Sequence, residues 1–158
     1  MSQVLREQTS AVESFVALLR AHASVTRQLN VQLNADHGLT ISDYEVLLLL
    51  ARAPDRRMRR VDLAEQILLT ASGITRLLDG LERSGLVERA SCATDRRVVY
   101  AVLTDAGLAK LREASGSHIA QIDDLFGRRY EDHELDELAA LLSRLGGSEP
   151  ADCAPPRD

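Results

Sequence analysis

Ten arginines (Arg52, Arg56, Arg57, Arg59, Arg60, Arg76, Arg83, Arg89, Arg96 and Arg97) are gathered between residues 52 and 97 against seven acids, a local net of +3. Elsewhere the 158-residue chain carries nine bases and seventeen acids, and Lys110 is its single lysine, so the basic segment is made of guanidinium alone. A guanidinium is a planar fork that donates two parallel hydrogen bonds, which suits phosphate oxygens and base edges better than an ammonium does. The overall charge of −5 argues the other way, and a solvated arginine-rich face is the competing reading at this level.

Other chemistry is poorly represented. There is no glycine-rich phosphate loop, no nucleophile elbow and no paired-acid motif, so an enzyme is not expected. The histidines His22, His37, His118 and His133 make no i, i+4 pair and no Cys-x-x-Cys occurs, so neither a metal site nor a cofactor is expected. Cys92 and Cys153 form no disulfide framework. Arg89 and Arg96 flank Cys92 and would lower its thiol pKa, but no resolving cysteine lies nearby. Asp123-Asp124 and the acids near the end read as a solvated face.

Composition sets the frame. Hydrophobic residues at 45% and charged residues at 27% fit a soluble globular chain. Apolar runs such as Val46 to Ala51 fall far short of the roughly 20 residues that cross a bilayer. The opening MSQVLREQTS has no apolar signal core, and a cytoplasmic location without membrane contact is the expectation.

Periodicity supplies the elements. Val12, Phe15, Val16 and Leu19 recur at helical spacing, with Leu18, Val25, Leu29 and Leu33 on an adjacent stripe, predicting a long helix over about 10–36 that ends at His37-Gly38. A second helix follows, capped by Thr40 or by Ser42 in a Ser42-x-x-Glu45 capping box, with Tyr44, Leu47, Leu48 and Ala51 as its buried face, and stops at Pro54. After the basic connection 55–60, a short helix is predicted over Asp62 to Leu68. Thr70 then caps another in which Ile74, Leu77, Leu78 and Leu81 form an apolar underside, with Gly85 as its stop. This is the pattern of a helix-turn-helix. Beyond Gly85 the period changes to 2: 86–89 and 98–103 flank an arginine-bearing tip, predicting a β-hairpin wing. Thr104 caps a long helix to about Phe126, a last helix spans about Asp132 to Leu145, and the Gly/Pro-rich end is expected to be disordered. The fold class is mainly α with a small β-hairpin wing.

Taken in order, Leu63-Ala-Glu65, Thr70-Ala-Ser-Gly-Ile-Thr-Arg-Leu-Leu-Asp-Gly-Leu-Glu82, Gly85-Leu-Val-Glu-Arg89, Asp95-Arg-Arg97 and Leu103-Thr-Asp-Ala-Gly107 resemble the MarR family of winged helix-turn-helix transcriptional regulators, over about residues 10–145. The resemblance implies a recognition helix entering a major groove, where short side chains at its first turn permit close approach. Ser72, Gly73, Thr75 and Arg76 occupy that turn, and the helix start near Thr70 offers free N–H groups to a phosphate. Arg96 and Arg97 sit at the wing tip, Arg97 entering the minor groove by resemblance, with Asp95 orienting an arginine. Against this stands pairing of Arg76 with Asp79 or Asp62.

The resemblance also implies a homodimer on a pseudo-palindromic double-stranded DNA site, acting as a repressor released by a small aromatic or phenolic ligand. His22, Asn30, His37 and Tyr44 are the candidate effector-lining groups, although an interface role suits His22 better. The domain reading is residues 1–39 as the N-terminal dimerisation helix, 40–104 as the winged helix-turn-helix domain, 105–146 as C-terminal dimerisation helices and 147–158 as a disordered tail. Two departures stand out: Val61 where a capping Ser or Thr is usual, and Gly80 within the recognition helix. Alternatives from other classes are a winged helix kept for protein–protein contact without DNA binding, and a redox-sensing regulator working through Cys92.

Overall fold

The computed structural model describes residues 10–67 and 69–146. The tail, Cys153 and the expected end of the short helix at Leu68 lie outside the described residues. The chain divides into two compact units, one ending at Ile41 and the other beginning at Ser42.

The first unit is α1 (Ser10–His37) and the turn after it. Gly38 closes the helix with φ +69°, a conformation that costs glycine nothing, and its N–H donates to the Asn34 carbonyl at 2.8 Å. Leu29 and Leu33 are buried, whereas Val12, Phe15, Leu18 and Leu19 are exposed, Phe15 by 58%. One apolar stripe is thus covered towards the C-terminal end and the other is bare towards the start.

The second unit begins in α2 (Ile41–Arg52). This helix starts at Ile41, so Ser42 lies inside it and cannot be its cap. Its buried residues are Tyr44, Val46, Leu47 and Leu50; Leu48 and Ala51, expected inside, are only half-buried. Six consecutive apolar residues from Val46 leave the inward face ambiguous from periodicity alone. Pro54 opens a 3-10 turn, Pro54–Arg56, in which Asp55 and Arg56 take φ of +54° and +52°.

That turn delivers an element the periodicity does not predict, β1 (Arg57–Arg59). It pairs antiparallel with β3 (Val99–Leu103), Met58 opposite Ala101, while β2 (Val87–Ser91) pairs with the other side of β3, so the wing is three-stranded in the order β1-β3-β2. α3 (Arg60–Gln66) follows directly, with Arg59 at the N-cap position and no side-chain cap. Val61 is therefore inside the helix, 62% exposed, and is not a failed cap.

α4 (Ala71–Arg83) starts at Thr70, whose hydroxyl accepts the Gly73 N–H at 3.1 Å. It ends in a Schellman motif: Leu86 N–H reaches the Leu81 carbonyl at 3.0 Å and Gly85 N–H the Glu82 carbonyl at 2.9 Å, with Gly85 at φ +72°. α5 (Asp105–Gly127) is capped by Thr104, and α6 (Asp132–Gly146) follows. Leu47, Leu50, Leu63, Ile74, Leu78, Leu81, Val87, Leu103 and Leu111 form the core of this unit. On α6, Leu141, Leu142 and Leu145 are exposed, Leu145 by 76%.

Candidate nucleic-acid interface

Three buried leucine-type residues on one side of α4, Ile74, Leu78 and Leu81, fix which side faces out. Ser72, Arg76 and Arg83, displaced from them around the helix, are exposed. Thr75 lies at the flank between the two rows and is half-buried. The Gly73 position is tight, because a Cβ there would stand 3.1 Å from Thr70 Oγ1 and 3.6 Å from Leu69 Cβ, so glycine both lowers the surface and leaves the cap undisturbed. Thr70 and Ser72 hydroxyls lie 3.2 Å apart at the helix start.

Arg76 takes none of the carboxylates the sequence offers it. Asp62 is held by Arg59 through two bonds, Nε–Oδ2 at 2.7 Å and Nη2–Oδ1 at 2.9 Å, which also raise the Arg59 pKa above its ordinary value. Asp79 is taken by Arg89, which reaches from β2 and also donates to Glu82 at 2.8 Å. The Arg76 guanidinium has no ion-pair or hydrogen-bond partner among the described residues. Arg89 is not among the candidate DNA contacts of the sequence, yet it neutralises two carboxylates on the very helix whose outer face is otherwise hydroxyl and guanidinium. Its signal in the sequence is only the spacing of Asp79 and Glu82 at i, i+3.

At the wing tip, Asp95 accepts the Arg97 backbone N–H at 2.9 Å through Oδ1, and the Val98 N–H donates to the Asp95 carbonyl at 3.1 Å. Asp95 thus shapes the turn from which Arg97 projects, acting on the main chain and not on a guanidinium. Arg96 and Arg97 are exposed, and their guanidinium groups have no partner among the described residues.

Cys92 sits at the base of this turn, and its thiol pKa is lowered, first by the hydrogen bond to the Thr94 hydroxyl (3.2 Å), then by the backbone N–H groups of Thr94 and Asp95. The arginines expected to do this do not: Arg89 is engaged with α4.

The wing is joined to α4 and α5 through Thr104. Its hydroxyl donates to the Gly85 carbonyl at 2.7 Å and accepts the Gly107 N–H at 2.9 Å, while its own N–H reaches the Leu86 carbonyl at 3.2 Å. One residue therefore ties the end of the recognition helix, the foot of the hairpin and the start of the next helix.

The candidate effector groups fall in both units. Within the first, His22 is exposed, His37 is half-buried and Asn30 Oδ1 accepts the Ile41 N–H at 3.1 Å, which gives Asn30 a role in the turn. Within the second, Tyr44 is buried, its hydroxyl 3.0 Å from Ser115 Oγ and its ring centroid 4.7 Å from that of His118. Ser115 and His118 are the buried polar groups of α5. Among the described residues no group of three or more His, Cys, Asp or Glu is placed to hold a metal ion, and no helix is long and apolar enough to cross a membrane.

Known proteins share this arrangement. Residues 37–98 match the family model described as the MarR family. The HTH-type transcriptional regulator MhqR of Bacillus subtilis (strain 168) is 31% identical over 136 residues, covering 86% of this chain and 91% of that protein. The HTH-type transcriptional repressor YetL of the same organism is 34% identical over 111 residues, 70% of this chain and 66% of its own. Among solved structures, Sco3205, a MarR family transcriptional regulator from Streptomyces coelicolor in complex with DNA, superposes with a TM-score of 0.79 at 27% identity, covering 93% of this chain and 94% of that one. Full-length similarity to such a regulator, a matching model over the helix-turn-helix and a wing built at the expected place lead to one assignment: the chain belongs to the MarR family of winged helix-turn-helix proteins.

Proposed function

We propose that this protein is a sequence-specific DNA-binding transcriptional regulator, a repressor of adjacent genes that works as a cytoplasmic homodimer and not as an enzyme. The observation that carries the reading is the distribution of unneutralised guanidinium: Arg76 on α4 and Arg96 and Arg97 on the wing tip are exposed and unpaired among the described residues, while Arg59 and Arg89 are spent on neighbouring carboxylates. A polyanion is the partner that such a selection suits. In this reading Ser72, Gly73, Thr75 and Arg76 face the major groove, the start of α4 at Thr70 faces a phosphate, and Arg96 and Arg97, set by Asp95, reach the adjacent minor groove. That Sco3205 was solved in complex with DNA supports DNA as the partner of this fold.

Dimer formation is supported by the bare apolar residues of α1, Val12, Phe15, Leu18 and Leu19, and of α6, Leu141, Leu142 and Leu145. A lone chain would leave both rows in water, and a two-fold partner covers them. It also presents two recognition helices to successive major grooves. The domain reading follows: 1–39 and 105–146 serve dimerisation and 40–104 reads DNA. An aromatic or phenolic effector belongs to the same proposal; within the second unit its candidate contact is Tyr44, the buried neighbour of Ser115 and His118.

The test is a titration of the chain's own upstream DNA at several salt concentrations beside an unrelated duplex of equal length. A regulator gives tight binding to the first, with log K falling by about 0.9 per phosphate neutralised for each decade of salt. Equal, weak binding to both duplexes contradicts the reading and favours a protein-contact module.

A further inference from the structure

Arg60 opens α3, where the helix dipole disfavours a cation, and its neighbours each have a compensating partner. Arg59 is held by Asp62, and the Arg57 guanidinium lies 4.8 Å from the centroid of the Tyr100 ring. Arg60 has no anion among the described residues. Among the described residues its one side-chain bond runs out of its own helix to α4, where Nη1 donates to Thr75 Oγ1 at 3.4 Å, and Thr75 gives its own hydroxyl hydrogen to the Ala71 carbonyl at 2.8 Å. Thr75 is thus an acceptor that aims Arg60 without neutralising it. The arginine is half-buried, with its guanidinium directed at Thr75.

Position decides what that head would meet. Thr75 stands at the flank of α4, between the buried row of Ile74 and Leu78 and the exposed row of Ser72 and Arg76. The side of a helix lying in a major groove faces the groove wall, which is sugar and phosphate, and its outer ridge faces the base edges. We infer that Arg60, braced by Thr75, is a phosphate-contacting residue that anchors the flank of the recognition helix on the DNA backbone. The inference rests on the DNA-binding reading above and adds to it a contact supplied from outside α4 and the wing.

The test uses the intact protein. Wild type is first used to enrich a binding duplex from random double-stranded DNA, and affinity for that duplex and for a scrambled one is then followed against salt for wild type, Arg60→Gln and Arg60→Lys, with helicity and oligomeric state checked in parallel. Arg60→Gln is expected to weaken binding to both duplexes by the same factor, roughly tenfold for two phosphate contacts per dimer, and to lower the salt slope by about 0.9 per protomer. Arg60→Lys, which keeps the charge, should retain the wild-type slope and also serves as the folding control. Unchanged affinity and slope in Arg60→Gln would overturn the inference, as would a loss confined to the enriched duplex, which would mark a base contact. A wild type that enriches no duplex contradicts the regulator reading itself, and the role of Arg60 falls with it.

Discussion

The carbonyl oxygen of Leu86 occupies the space that a Cβ on Gly107 would need, and Leu103 Cδ1 would lie only 2.7 Å from that atom. The obstacle is backbone, so it cannot swing aside, and Thr104 bonds both sides, its N–H donating to that Leu86 carbonyl and its hydroxyl accepting the Gly107 N–H. Gly107→Ala should therefore push the foot of the wing away from α5, at a cost of about 2–3 kcal/mol from overpacking. Urea denaturation should show the lowered midpoint, and DNA affinity should fall with it; an unchanged midpoint would mean the strand end is freer than these contacts imply.

Gly80 is the opposite case. It lies inside α4, where a methyl group would have no neighbour within 4 Å, and its φ is not positive. Gly80→Ala should raise stability by about 1 kcal/mol through helix propensity alone, read as an upward shift in the thermal midpoint. The residue departs from the family pattern at no steric gain within the single chain.

Arg89 holds Asp79 and Glu82 from the strand side. All three groups are substantially exposed, so the pairs themselves add little to stability. Their weight lies in the field along α4: Arg89→Ala should change folding stability by no more than about 0.5 kcal/mol, read from urea denaturation. It should weaken DNA binding by about tenfold or more, because two carboxylates then face the duplex uncompensated. Anisotropy titrations at low and high salt check this, and the deficit should shrink as salt rises.

Cys92 carries the pH-dependent prediction. Hydrogen bonds from Thr94 and from backbone N–H groups favour its thiolate and lower its pKa. Its alkylation by iodoacetamide should therefore reach its plateau at a lower pH than that of a free thiol, and Thr94→Ala should move the midpoint up, slowing the reaction near neutrality. By linkage, a lowered folded-state pKa contributes stability above that pKa which fades as pH falls through it, so Thr94→Ala should matter to stability only on the alkaline side. An alkylation profile identical in the two proteins would remove Thr94 as the cause.

Much of this architecture was legible in the residues, and what escaped did so for physical reasons. Thr70 and Thr104 announce their helices because each is a hydroxyl followed three residues on by glycine, and both bind that glycine's N–H. Gly85 announces the stop it provides. Strand β1 was hidden because two of its three residues are arginines, which carry no β signal; its partner β3 and the turn through Asp55 and Arg56 impose the extended form. The start of α3 at Arg60 was hidden for the same reason, and with it the bond to Thr75. Pair partners are the least legible layer. Sequence spacing offers Asp62 and Asp79 to Arg76 as readily as to any other cation, and only the placement of β1 and β2 gives them to Arg59 and Arg89. Likewise, the meeting of Tyr44 with Ser115 and His118 joins residues some seventy positions apart, beyond the reach of local pattern.

The wing tip offers the most direct trial of the whole account. Hydroxyl-radical footprinting of the enriched duplex should show one wild-type dimer protecting two tracts about one helical turn apart on a single face, flanked by protected minor-groove positions. With Arg97→Ala, the flanking protection should vanish, affinity should drop and the salt slope should flatten, while the central tracts and the dimer persist. A footprint and affinity unaltered by Arg97→Ala, or protection of a single isolated tract, would contradict the two-point grip by recognition helix and wing.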